Sequence, residues 1–295
     1  MNQTDLKKYI LVALIFIISL FSFGYWIYGK FYVSTDDAYV GANIVQIATQ
    51  VTGKVKHLYV NNNQYVIAGE LLFDLETETY DAALLEAKAG LLVAEAKLKI
   101  AQLTKDRAEE LLKQKATSFQ ENDIAIGNLE AAIAARDINK ALVTKAELNL
   151  QYTSIRASTN GWITNMTLQV NDSVIAHQPL FALVSDEKFW VDANFKENEI
   201  QHVRVGQKVE IKIDMYPNHD FTGIVESFSS GTGNAFSLLP PENATGNWVK
   251  ITQRIPVRIL INNTDFNYPL RIGTSAEVTI HTSPLSRRAR NNEHP

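Results

Sequence analysis

The chain has 295 residues, with 28 Lys and Arg against 32 Asp and Glu, for a formal net charge of −4. At roughly 100–200 residues per domain, this is room for about two modest domains. There is no cysteine, which excludes a disulfide scaffold, a thiolate zinc site and a cysteine nucleophile. The mildly acidic balance argues against a nucleic-acid binder, which needs a basic face.

The first element is apolar. No charge falls between Lys8 and Lys30, and residues 9–28 read YILVALIFIISLFSFGYWIY. About 20 such residues make enough helix for a hydrocarbon core of roughly 30 Å. Tyr9 lies at one end, and Tyr25, Trp26 and Tyr28 form an interfacial aromatic belt at the other. Lys7 and Lys8 precede the span, so residues 1–8 are expected in the cytoplasm and the rest of the chain outside. A cleaved signal peptide is the competing reading, because Ser22-Phe23-Gly24 resembles a small-x-small cleavage site. The apolar run continues past that site, which favours an uncleaved transmembrane anchor. Asp36 and Asp37, just beyond it, read as solvated topology charges. Residues 29–45 are expected to be a linker and a first barrel strand.

Two stretches then align without gaps at an offset of 108: residues 47–75 and 155–183. Ile47 matches Ile155, Gly53 matches Gly161, Val55 matches Ile163, and Val66-Ile67-Ala68 matches Val174-Ile175-Ala176. Each copy has short β-type runs and an Asn-containing turn. Two halves too small to bury a core alone predict one β-sandwich, from residues 46–75 and 154–186.

Between the halves, residues 76–153 read as helix. Leu84, Leu91, Leu98 and Leu112 recur at heptad spacing, with Ala87, Ala94, Ala101 and Ala108 as the d positions and Lys105 interrupting the a row. The pattern predicts a first helix over 77–114, on the order of 55 Å long. A break at 115–122 and a second, Ala-rich helix over about 123–150 complete an antiparallel coiled-coil hairpin. The heptads of the second helix look less regular. Charges of mixed sign predict a solvated outer face.

From residue 187 to 283 the pattern is β again. Val209, Ile211 and Ile213, then Val257, Ile259 and Ile261, then Val278 and Ile280, alternate with polar neighbours, and turn signals fall at Pro217-Asn218, Asn262-Asn263 and Gly273. These predict an antiparallel β-barrel. The loop over 229–248 carries Phe236, Leu238, Leu239 and Trp248, either a partner-contact surface or a cover folded over a barrel end. Residues 284–295 read as a flexible tail. The fold class expected is thus a multidomain α+β chain: anchor, split sandwich, hairpin and barrel.

No catalytic constellation is evident. The six histidines stand apart without metal-ligand spacing, Gly231-x-Gly233 lacks a phosphate loop's third glycine, and there is no Gly-x-Ser-x-Gly elbow. No enzyme activity, cofactor or metal is expected.

This order of elements resembles the membrane fusion proteins, the HlyD-like periplasmic adaptors of bacterial tripartite efflux and secretion systems. The EmrA-like branch is suggested by Ser34-Thr35-Asp36-Asp37-Ala38-Tyr39-Val40, by WVDANFKENEI over 190–200, and by GTGNAFSLLPPENATGNWVKITQRIPVRI over 231–259. The resemblance implies a lipoyl-like fold for the sandwich, without lipoylation, because the hairpin replaces the turn where the modified lysine would sit. It implies an inner-membrane major-facilitator exporter and a TolC-like outer-membrane channel as partners, with trimers or hexamers of the adaptor. Arg107, Leu111 and Ser118 reproduce the spacing of the family's hairpin-tip motif, which engages the channel. Many adaptors of this branch have a longer hairpin. The short one here is similar to adaptors for aromatic carboxylic acid efflux, and a protein-secreting ATPase system is a further alternative.

Overall fold

The structure, a computed structural model, describes residues 32–232, 251–262 and 267–282, together with Phe16 and Ser19. The apolar span over 9–28, with Tyr9, Trp26 and Tyr28, lies outside the described residues apart from Phe16 and Ser19. So does the tail. Among the described residues no helix is long and apolar enough to cross a membrane. The chain divides into two compact units, one of residues 1–43 and 186–295, the other of residues 44–185.

The second unit holds the repeat. Its strands are β2 (Gly53–Leu58), β3 (Tyr65–Val66), β4 (Leu71–Leu75), β5 (Ser154–Arg156), β6 (Gly161–Thr164) and β7 (Ser173–Val174). One sheet runs β5-β4-β2-β7; the other pairs β3 with β6, and β6 with residues 182–185 of β8 (Pro179–Lys196). The repeat supplies the core in pairs: Ile47 and Ile155, Val55 and Ile163, Val60 and Leu168, Val66 and Val174, Phe73 and Phe181, Leu75 and Leu183 are all buried.

The halves are interlocked by hydrogen bonds that also obey the offset. Val55 N–H donates to the Asp172 carbonyl at 2.8 Å, and its counterpart Ile163 N–H donates to Gln64 at 3.0 Å. Asn63 N–H donates to Ile163 and Asn171 N–H to Val55, both at 2.9 Å. Gly69 N–H reaches Ala157 at 2.8 Å and His177 N–H reaches Thr49 at 2.7 Å. Even the left-handed positions repeat: Asn63 (φ 64°) with Asn171 (φ 75°), and Gly69 (φ 85°) with His177 (φ 66°). Each half therefore satisfies the turn amides of the other, so neither closes its backbone bonding alone.

Between β4 and β5 rises the hairpin, α1 (Glu78–Lys113) and α2 (Phe119–Gln151). Acidic Glu78 and Asp81 sit in the first turn of α1 and Lys113 in its last, as the helix dipole favours. Along α1 the seven-spaced Leu and Ala positions are the shielded ones. Lys105 fits this seam by turning its ammonium out to Glu109, 2.6 Å away. The expectation of irregular heptads in α2 is corrected. Asn122, Ala125, Leu129, Ala132, Arg136, Asn139, Val143 and Ala146 are shielded at unbroken three-four spacing. The repeat was hidden because three of those positions are polar. Gly90 faces one of them: a Cβ there would stand 3.0 Å from the Asn139 Oδ1.

The first unit is a barrel. Residues 32–39 of β1 (Tyr32–Ala48) pair with β12 (Ser275–His281), which pairs with β9 (Lys208–Ile213). β9 pairs with β10 (Asp220–Phe228), β10 with β11 (Arg254–Ile261), and β11 with residues 190–196 of β8. β8 also pairs with β1, which closes six strands on themselves. The alternating residues of β9, β11 and β12 point inward as their period requires. β1 and β8 run longer than the sequence suggests, each passing from one unit into the other. β10 lacked an unbroken alternation because Gly223 takes an inward place, where a Cβ would stand 2.6 Å from the Leu260 carbonyl oxygen.

Asp36 is exposed, but Asp37 is not simply a solvated charge. β1 advances three residues from Thr35 to Ala38 while β12 advances two, a bulge that turns Asp37 along the barrel wall. Its carboxylate takes Arg254 Nη1 at 3.0 Å and the Asn194 amide at 3.2 Å, while Thr35 Oγ1 donates to the Asn194 carbonyl at 3.0 Å. The Ser-Thr-Asp-Asp run is a clasp across β1, β8 and β11.

Candidate docking site at the hairpin tip

Arg107 and Leu111 lie in the last two turns of α1, and Ser118 lies where α2 begins. α1 closes with two nested bonds: Ala116 N–H donates to the Leu111 carbonyl at 2.8 Å and Lys115 N–H to Leu112 at 3.0 Å. This is a Schellman closure, with Lys115 in the left-handed region (φ 55°) where glycine is the usual occupant. Ser118 is the N-cap of α2, its Oγ accepting from Glu121 N–H at 3.2 Å. Glu121 in turn accepts from Thr117 Oγ1 at 2.6 Å. These bonds start α2 at Phe119, four residues before the sequence-based start at 123. The Ser118-x-x-Glu121 signature was the signal that could have found it.

Of the expected tip residues, Arg107 and Leu111 lie one turn apart on the same side of α1, both exposed, Leu111 at 39%. Ser118 is exposed and already occupied as a cap. The turn thus holds its own shape by internal bonds and leaves Arg107 and Leu111 free to face outward. Sequence reasoning missed Phe119, which at 78% is the most exposed large apolar side chain among the described residues.

Charges around the tip are unevenly engaged. Glu109 is bonded to Lys105 and stands 3.5 Å from Lys113. The Lys105 ammonium holds the Glu109 carboxyl below the usual range, with Lys113 adding to it, and Glu109 in return raises Lys105. Glu110 accepts from Gln114 at 3.1 Å and Asp106 from Gln102 at 2.9 Å.

The other expected contact surface, Phe236, Leu238, Leu239 and Trp248, lies outside the described residues. Among the described residues no cluster of His, Asp and Glu gathers as a metal site. His57 lies 3.1 Å from Asp74 through Nδ1, and Tyr59 donates to the same carboxylate at 3.1 Å.

Comparison with known proteins follows the same division. Residues 83–153 match the family model described as the RND MFP alpha-helical hairpin domain, and residues 188–281 match the AAEA-like beta-barrel domain. The chain is 35% identical to the multidrug export protein EmrA of Haemophilus influenzae over 336 residues, covering 97% of this chain and 86% of that one. It is 33% identical to the fatty acid resistance protein FarA of Neisseria gonorrhoeae, over 84% of this chain and 76% of that one. Among solved structures, its fold is similar to that of the membrane fusion protein Spr0693 from Streptococcus pneumoniae R6, with a TM-score of 0.63 at 18% identity, covering 85% and 99% of the two chains. Hairpin, barrel and near-full-length identity agree: the chain belongs to the membrane fusion proteins, the periplasmic adaptors of efflux pumps, in their EmrA-like branch.

Proposed function

We propose that this chain is the adaptor subunit of a tripartite efflux pump, joining an inner-membrane major-facilitator exporter to a TolC-like outer-membrane channel. The observation that carries this reading is the hairpin, two helices of 36 and 33 residues ending in an internally capped turn with Arg107 and Leu111 exposed. In this reading residues 9–28 anchor the chain beside the exporter, residues 1–8 stay in the cytoplasm and the bulk is periplasmic. Arg107, Leu111 and Ser118 form the channel-docking tip. Arg107 supplies a charged fork, Leu111 an apolar knob, and Ser118 the cap that fixes the turn. The chain performs no chemistry itself; proton coupling in the exporter drives transport.

Self-association into a trimer or hexamer is supported by an apolar stripe on the outside of α1, where Leu85, Leu92, Val93, Ile100 and Leu103 are exposed. The cargo we infer is drugs or other toxic small molecules, the class named for the EmrA and FarA relatives. Export of aromatic carboxylic acids is a second reading, favoured by the short hairpin. Deleting the gene and testing a panel of lipophilic drugs, fatty acids and hydroxybenzoates decides between them. The expected result is sensitivity to lipophilic drugs, restored by the wild-type chain. Unchanged sensitivity across the panel would refute the efflux role.

A further inference from the structure

Phe119 is largely exposed. It is the first residue of α2, where the cap is supplied by Ser118 and the orphan amide by Glu121, and it leaves its ring 78% exposed. An aromatic ring at that place contributes little to helix formation, and burying it would gain far more than leaving it in water. Its neighbours sharpen the pattern. Asp106, Glu109, Glu110 and Glu121 each bond within the hairpin, whereas Asp123, one helical turn beyond Phe119, is exposed and unpaired among the described residues. Arg107 and Lys115 pair with no carboxylate among the described residues. The ten residues from Leu111 to Gln120 include Lys113 and Lys115 and no acid. An exposed aromatic ring on a hairpin end with two unpaired cations, and with no acid from Leu111 to Gln120, is the composition of an interface hot spot.

We propose that Phe119 is the apolar anchor of the tip, entering a concave apolar slot on a partner protein whose rim carries carboxylates or helix C-terminal carbonyls that meet Arg107 and Lys115. This rests on the reading of the tip as a docking site and names the partner surface it fits. The partner's slot must be wide enough for a phenyl ring, and its rim must be electronegative to complement the turn. Lys115 keeps a cation at a left-handed position where glycine would be easier to hold, consistent with a charge needed there.

The test uses the full-length adaptor in detergent and a purified TolC-like channel, with affinity measured by surface binding. Phe119→Ala should weaken the complex roughly thirty-fold, the size of an anchor residue's loss. Phe119→Leu should retain most of the affinity, and Lys115→Glu should weaken binding most at low salt. Helix content by circular dichroism should be unchanged, since Phe119 is largely exposed and the cap of α2 is Ser118. If Phe119→Ala binds like wild type while Leu111→Asp does not, the anchor proposal fails and the tip reading stands. If both variants bind like wild type, the tip reading fails and takes this proposal with it. If Phe119→Ala loses binding to vesicles of phosphatidylethanolamine and phosphatidylglycerol but not to the channel, the ring serves a lipid surface and the proposal is overturned.

Discussion

Gly161 shows how much one side chain can decide. A Cβ there would lie 2.0 Å from the Val184 carbonyl oxygen, inside the contact between β6 and β8. Gly161→Ala should therefore destabilise the sandwich by roughly 3 kcal/mol, since backbone must move to make room. Gly69 is the control. It also has positive φ but meets nothing within 4 Å, so Gly69→Ala should cost only about 1 kcal/mol, the left-handed penalty alone. Urea denaturation of both variants checks the contrast. Glu109 carries a different signature at this scale. Its folded-state pKa is depressed by Lys105, so the ion pair contributes fully above the ordinary glutamate range and is lost as pH falls through the depressed value. Lys105, raised by the same contact, loses its share only as alkaline pH passes its own raised value. Glu109→Gln should flatten the acid limb of the hairpin's thermal midpoint between pH 7 and 3. An acid limb identical to wild type would contradict this.

At the scale of elements, the split sandwich makes a stronger claim. The bonds that lock its halves lie within residues 49–75 and 157–177, and Leu75 N–H donates to the Thr153 carbonyl at 2.9 Å across the base of the hairpin. The strands β4 and β5 on either side already pair. Replacing residues 76–152 with Asn-Gly, a two-residue hairpin turn, should leave an all-β chain that still unfolds cooperatively. Loss of near-ultraviolet dichroism in that chain would show that the hairpin is needed to hold the halves. Much of this element plan was legible in the sequence. The repeat betrayed itself through β-branched core residues at a constant offset, and α1 through a regular Leu and Ala seam. The interlock was not legible, because which amide meets which carbonyl depends on how two turns cross in space. The regular heptads of α2 were obscured by Asn122, Arg136 and Asn139, and the reach of β1 and β8 by Gly41, Asn43, Ser185 and Asp186, turn-type residues that lie within continuous strands where one unit gives way to the other. Arg107 and Leu111 were expected only through the resemblance to the family's hairpin-tip motif. Phe119 was passed over because the start of α2 was placed four residues too late, which left the ring in a loop where exposure asks no question.

For the whole molecule, the proposed role is connection: an anchor at residues 9–28 would hold the chain beside an exporter, and the hairpin tip would dock a channel. The even charge of the chain fits this role, since neither sign dominates enough to steer it toward nucleic acid or an acidic surface. The measurement that bears on this most directly is co-purification from membranes solubilised after mild crosslinking, with the full-length adaptor tagged. The wild-type adaptor should bring down both a major-facilitator exporter and a TolC-like channel. Leu111→Asp should keep the exporter and lose the channel at least ten-fold, with drug resistance falling in parallel. Recovery of both partners and full resistance in the Leu111→Asp strain would contradict the account.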